Sequence, residues 1–255
     1  MTIFHGLPNK IALVTGAGQG LGKAYAKAYS QMGATSIVAD LNLDKAEAVA
    51  NEIRESGGEA RAFYVDVASE ESVATMVGEA LEQLGRIDIL VNNAAIFSTL
   101  KMRPFDEIPP EEWRHVLDVN VTGVFLVSRA VVGSMRKNNW GRIVNVSSAA
   151  WTMGRPDYLH YTSSKAALIG MTRSMARELG PHGITVNAVL PGATRTEIER
   201  ETVSPEQMKA FLAARSIPRV ETSEDLLGSI MFFSSDASSF VTGQSLTIDG
   251  GMTYE

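Results

Sequence analysis

Residues 10–33 read "KIALVTGAGQGLGKAYAKAYSQMG", and the chain changes character twice within this stretch. "KIALVT" (10–15) is a near-continuous apolar run of strand length, and "TGAGQGLG" (15–22) is a turn with glycine at every second position from 16 to 22. "GLGKAYAKAYSQMG" (20–33) then repeats its apolar residues at helical spacing. A strand covered on both faces reads as an unbroken apolar run, whereas a strand with one wet face alternates. The stretch therefore predicts a strand inside a parallel sheet, a glycine turn and a helix.

The same alternation recurs downstream. Strand-like runs are "TSIVAD" (35–40), "ARAFYVDV" (60–67), "IDILVN" (87–92), "RIVNVSS" (142–148), "ITVNAVL" (184–190) and "SLTID" (245–249). Helix-period segments follow at "DKAEAVANEIRESGG" (44–58) and at "SEESVATMVGEALEQLG" (69–85), which opens on a polar cap. This βαβαβ order predicts an α/β fold: one domain over 1–255, with about seven strands in a doubly wound parallel sheet and helices on both faces. No Pro/Ser-rich linker and no internal repeat divides it. The segment 194–219, "TRTEIERETVSPEQMKAFLAARSIPR", interrupts the alternation. It is expected as a helical insertion near the carboxyl ends of the strands, where open α/β sheets bind ligands, and it is either a lid or a plain surface excursion.

Composition narrows the function classes. The chain has 255 residues, 45% hydrophobic and 20% charged, with a net charge of −6 and no basic run. Nucleic acid and anionic membranes both require clustered Lys and Arg, so neither is an expected partner. With no cysteine, disulfides, thiolate chemistry and cysteine zinc sites are excluded. His5, His115, His160 and His182 are too scattered for an i, i+4 metal pair, and no metal is expected. A start without signal-peptide features, and no apolar run near membrane-spanning length, favour a cytoplasmic protein with a small-molecule substrate.

The glycine turn suggests what is bound. Gly16 and Gly20 permit a tight turn and close backbone approach, and Gly22 lets the helix pack against the sheet. The helix then offers free N–H groups, with those of Gln19 to Gly22 around Leu21, to a pyrophosphate. Asp40 ends the second strand, where a carboxylate would accept from both adenosine ribose hydroxyls and repel a 2′-phosphate. The turn carries Gly18 and Gln19 where a phosphate reader would place Arg or Lys, so NAD is expected over NADP. Asp66 and Val67 end the third strand and are expected at the adenine. Asn93 ends the fourth and is expected to hold backbone near the ribose.

In "YLHYTSSKAAL" (158–168), Tyr161 and Lys165 stand one helical turn apart and share a face. A phenol with a free pKa near 10 is a poor base at neutral pH. A cation about 4 Å away at an effective dielectric near 20 contributes about 4 kcal/mol, roughly 3 pK units at most, which brings the phenol into range.

These motifs together resemble the classical short-chain dehydrogenases/reductases over nearly the whole chain. They are T-G-x-x-x-G-x-G at 15–22, D-V at 66–67, N-N-A at 92–94, N-V-x-G at 120–123, S-S at 147–148, Y-x-x-x-K at 161–165, P-G-x-x-x-T at 191–196 and T-G-Q-x-L-x-x-D-G-G at 242–251. The resemblance implies a Rossmann-type domain and a catalytic tetrad of Asn120, Ser148, Tyr161 and Lys165. The family's usual spacing of Ser to Tyr selects Ser148 over Ser147, and Tyr158 fails because Thr162 lies four residues on. It further implies that Lys165 binds the nicotinamide ribose, that Asn120 orients a water linking Lys165 to solvent, and that Ser148 holds the substrate oxygen. Pro191, Gly192, Thr194 and Thr196 would line the nicotinamide carboxamide. A homotetramer is implied, with helices containing 112–136 and 158–180 bundled at one interface. The family's common N-N-A-G reads Asn92–Asn93–Ala94–Ala95 here, which puts substrate geometry beside residue 95 in doubt.

The expected substrate wall is Ile96, Phe97, Ala150, Trp151, Met153 and Tyr158, with Ile198 and Phe211 from the lid. Such a wall suits a hydrophobic secondary alcohol or ketone. "SSFVTGQSLTIDGGM" and "ARSIPR" are also similar to bacterial secondary-alcohol dehydrogenases such as 1-phenylethanol dehydrogenase. Two rivals stand beside this: a 3-oxoacyl-carrier-protein reductase using NADPH, and a non-catalytic, dinucleotide-binding regulatory protein.

Overall fold

The structure is a computed structural model that describes residues 5–198 and 202–254. The chain runs β1 (Ile11–Thr15), α1 (Gly20–Gln31), β2 (Thr35–Asp40), α2 (Leu43–Glu55), β3 (Ala60–Tyr64), α3 (Glu70–Leu84) and β4 (Ile89–Asn92). It continues through α4 (Pro110–Leu117), α5 (Gly123–Asn138), β5 (Gly141–Val146), α6 (Leu159–Leu179) and β6 (Ile184–Pro191). The last elements are β7 (Thr194–Arg195), α7 (Pro205–Ala214), β8 (Glu221–Thr222), α8 (Glu224–Ser234) and β9 (Ser245–Ile248). Seven strands form one sheet in the order β3-β2-β1-β4-β5-β6-β9, every pair parallel. The order reverses between β1 and β4, which opens a crevice at their carboxyl ends.

Successive strand residues point to opposite faces. Ala12, Val14, Val38 and Val144 pack against Tyr25 and Tyr29 of α1, Val49 and Ile53 of α2, and Leu226 and Ile230 of α8. Leu13, Ile37, Leu90 and Ile143 pack on the other face against Val73 and Met76 of α3 and Val127 and Val131 of α5. All seven expected strands form; the run 60–67 shortens to Ala60–Tyr64 because Val65 makes the last ladder contact, donating to Asp40 O at 2.9 Å. Asn42 caps α2 through Lys45 N at 3.0 Å, and Ser69 caps α3 through Ser72 N at 3.2 Å.

Two features were absent from the sequence expectation. A π-helical turn, Asp118–Thr122, joins α4 to α5, so that 110–138 runs as one helical stretch. By length and composition this stretch could span a membrane, but it packs in the core through Val116, Val127, Val131 and Met135. The second is the two-stranded pair of β7 and β8, which brackets the segment 194–219. Of that segment, residues 199–201 lie outside the described residues.

Candidate active site

A cleft of about 750 Å³ lies at the carboxyl ends of β1 and β4. Thirteen of the residues expected to hold a cofactor line it: Gly16, Gln19, Leu21, Asp40, Asp66, Val67, Asn93, Tyr161, Lys165, Pro191, Gly192, Thr194 and Thr196. Gly20 and Gly22, in the first turn of α1, are not among its lining residues, although a Cβ on Gly20 would lie 2.6 Å from Ile198 Cδ1 of the cleft wall. Three of the four tetrad residues, Ser148, Tyr161 and Lys165, line it too. Ala95 lies in its wall.

The glycine turn and the end of β4 build each other. Asn93 Nδ2 donates to the carbonyls of Thr15 at 2.9 Å and Gly16 at 3.1 Å, while Asn93 N and Ala94 N both donate to Thr15 Oγ1 at 3.1 Å. Gly16 has φ +62°, and a Cβ there would lie 2.8 Å from Ala94 Cα. A Cβ on Gly22 would lie 2.2 Å from Gly16 O. Side chains at these two positions would collide with Ala94 and with the turn's own backbone, so the close packing of the turn requires glycine there. One carboxylate already sits there: Glu197 Oε1 accepts from Gly20 N at 2.8 Å.

Asp40 Oδ2 accepts from Gly18 N at 2.8 Å, and its Oδ1 accepts from Asn42 N at 2.9 Å. The carboxylate thus faces the turn, and Asn42 caps the helix instead, as expected from its position. Lys45 was missed from sequence: its Nζ donates to Gln19 Oε1 at 2.6 Å, and its Cβ lies 2.9 Å from where a Cβ on Gly18 would be. Only the i, i+3 relation to the cap at Asn42 could have placed this lysine over the turn. Asp66 Oδ1 accepts from Ala68 N at 2.9 Å and Asp66 N donates to Ser72 Oγ at 2.9 Å, which fixes the end of β3 at the cleft.

The two serines after β5 are distinguished by their partners. Ser147 Oγ is buried and donates to Lys165 O at 2.7 Å, clamping α6 to β5. Ser148 Oγ accepts from Ala150 N at 3.1 Å and faces the cleft. Lys165 Nζ donates to Val146 O at 2.8 Å and lies 5.8 Å from the centroid of the Tyr161 ring. Burial pushes the Lys165 ammonium down to about 7, since an apolar surrounding disfavours the charged form.

Asn120 sits in the π-turn and is fully buried. Its Oδ1 accepts from Ile96 N at 2.8 Å, and its Nδ2 donates to Ile96 O at 3.2 Å and Ser164 Oγ at 3.0 Å. Both amide protons are committed, so the side chain ties the loop after β4 to α6.

The substrate wall is only partly as expected. Ile96, Phe97 and Ile198 line the cleft; Ala150, Trp151, Met153, Tyr158 and Phe211 do not. Residues after Ser148 coil into turns, with Met153 N donating to Ala149 O at 3.2 Å and Arg155 N to Ala150 O at 3.3 Å. Ala150 is buried, and Trp151 packs on Ile169, Ala188 and Leu190. Tyr158 is buried beside Leu100 and Val116, donates to Phe97 O at 2.7 Å, and lies 4.7 Å from the Tyr161 ring. It supports the wall from behind. Thr99, Leu100, Glu112 and His115 supply cleft surface that sequence periodicity did not single out. Among the described residues no cluster of three or more acidic or histidine side chains could hold a metal ion.

A family model described as enoyl-(acyl carrier protein) reductase matches residues 16–253. The chain belongs to the short-chain dehydrogenases/reductases. It is 40% identical over 249 residues to a 3-oxoacyl-[acyl-carrier-protein] reductase of Synechocystis, covering 96% of this chain and 98% of that protein. A short-chain type dehydrogenase/reductase from Mycobacterium marinum superimposes with a TM-score of 0.89 at 37% identity, covering 98% and 97% of the two chains. A 7α-hydroxysteroid dehydrogenase complexed with NADH and 7-oxo glycochenodeoxycholic acid superimposes with a TM-score of 0.92 at 36% identity, covering 98% and 96%. This dehydrogenase/reductase is thus an oxidoreductase that binds a nicotinamide dinucleotide, and a purely regulatory role falls away.

Proposed function

We propose that the enzyme uses NAD in preference to NADP and interconverts a hydrophobic secondary alcohol and its ketone. One observation carries this: Ser148, Tyr161 and Lys165 line the same cleft as the Asp40 carboxylate. The nicotinamide, when bound, supplies or accepts the hydride at the substrate carbon. Gly16 to Gly22 would hold the diphosphate, Asp40 the adenosine ribose, Asp66 and Val67 the adenine, and the 191–196 loop the carboxamide. Ser148 has its hydroxyl proton to offer the substrate oxygen. Tyr161 moves the proton between that oxygen and solvent. Lys165 sits beside the phenol, where a charged ammonium would favour the phenolate. Asn120 acts by holding the loop of Ile96 and the helix of Tyr161 together. Ile96, Phe97, Leu100 and Ile198 give the substrate an apolar wall.

A 3-oxoacyl-carrier-protein reductase reading, with NADPH, is supported by the Synechocystis relative and by Lys45, whose Nζ reaches Gln19 of the glycine turn. Steady-state rates on ketones and secondary alcohols, each with NAD(H) and NADP(H), separate the two. A kcat/KM preference for NAD(H) with an aryl or alkyl ketone supports the first. A preference for NADPH with a 3-oxoacyl thioester as the ketone supports the second.

As a cytoplasmic enzyme formed from one domain over 1–255, it would assemble as a homotetramer through the stretch α4–α5 and α6. Open space at Gly133 and Gly170 and the half-exposed Phe125 support close packing of those helices. Light scattering that gives four chains per particle is the expected result.

A further inference from the structure

The loop that would carry the nicotinamide end is gripped from behind by a buried ion pair. Glu221, on β8, accepts from Thr194 Oγ1 at 2.6 Å and Gly192 N at 3.2 Å through Oε1, and from Arg215 Nη2 at 3.0 Å through Oε2. Arg215 Nη2 also donates to Ala193 O at 3.4 Å, and its Nη1 donates to Arg219 O at 2.9 Å. Three consecutive residues, Gly192, Ala193 and Thr194, are therefore held by one pair of opposite charges. Both side chains are nearly inaccessible, at 1% for Arg215 and 5% for Glu221. Residue 192 has no room for a side chain, because a Cβ there would lie 2.6 Å from Glu221 Oε2. The glycine of the P-G pair thus lets the carboxylate reach the loop backbone.

Burying two charges costs more solvation than a hydrophobic pair would, so such a pair is poor value as a stability device alone. It makes sense where it fixes geometry. Arg215 closes α7, since its own N–H donates to Phe211 O at 3.1 Å. The far end of the 194–219 segment and the 192–194 loop are thereby one mechanical unit.

We infer that Arg215 and Glu221 are positioning residues for the nicotinamide end of the cleft, setting the 192–194 backbone and coupling it to the covering segment. This rests on the proposed orientation of the dinucleotide. Neither residue touches the cofactor; both act through Gly192, Ala193 and Thr194.

The test compares NADH with ADP-ribose, which lacks the nicotinamide, by titration of the full-length enzyme. In Glu221→Gln, NADH binding is expected to weaken about tenfold, the scale of a lost charge-assisted hydrogen bond, with ADP-ribose held within about twofold. A paired Arg215→Met/Glu221→Leu variant removes both charges together and guards against misfolding caused by a lone buried arginine. It should show the same split, and the cofactor KM should rise with it. Equal weakening of both ligands, or unchanged NADH binding in the paired variant, would overturn the inference. Failure of the wild type to bind either ligand would instead sink the proposed function.

Discussion

Glu197 Oε1 accepts the backbone N–H of Gly20 at 2.8 Å, although 177 positions separate the two residues. Gly20 begins α1, where the helix dipole and the unpaired N–H groups favour an anion. A carboxylate from the segment 194–219 therefore takes a hydrogen bond that a diphosphate bound as proposed would use, and the two anions would repel.

Removing that charge is expected to help the cofactor. Glu197→Gln should tighten ADP-ribose and NADH alike by about two- to fivefold, the range of a charge at a helix terminus. Calorimetric titration at low and high salt checks it, and the gain should shrink as salt rises.

Under the proposed NAD preference, Asp40 is the residue that would set it, since its Oδ2 accepts from Gly18 N at the turn. Asp40→Ala removes the carboxylate that would repel a 2′-phosphate and leaves Lys45 beside the site. The ratio of kcat/KM for NADPH over NADH should rise by about tenfold or more, the equivalent of one charge contact at a partly exposed site.

Lys165 carries a pH signature in stability. Its folded pKa, about 7, lies below the ordinary value of 10.5, so the unfolded chain binds more protons between those limits. Stability then rises with pH across that window, and the penalty of the buried charge is complete below about 7. Lys165→Met should melt at a higher temperature than wild type at pH 6.5, with the gap closing by pH 10. Thermal unfolding across that pH range checks the sign.

Much of this was legible in the sequence because backbone demands leave local marks. Gly16 must adopt a positive φ, Gly22 must let Gly16 O approach, and Asn93 must reach two carbonyls of the turn, so the residue type itself marks each position near a strand end. Tyr161 and Lys165 were legible because a shared helical face is a spacing of four. What stayed hidden depends on how loops fold back. Trp151 and Met153 follow β5 as expected, but turns closed by Ala149 O and Ala150 O take them out of the cleft. Glu197, Glu221 and Arg215 act across long separations, with no periodicity to mark them. His160, fully buried, lies with Nε2 3.1 Å from Glu112 Oε1 and pins the first turn of α6 to α4, again a tertiary contact.

The central claim is that Tyr161 moves the substrate proton. Tyr161→Phe keeps the ring packed against Tyr158 and removes only the hydroxyl. Turnover of the best ketone should fall by about 10² to 10⁴, the usual contribution of a positioned proton donor, while NADH binding stays within about twofold. Unchanged turnover with intact NADH binding would contradict the account.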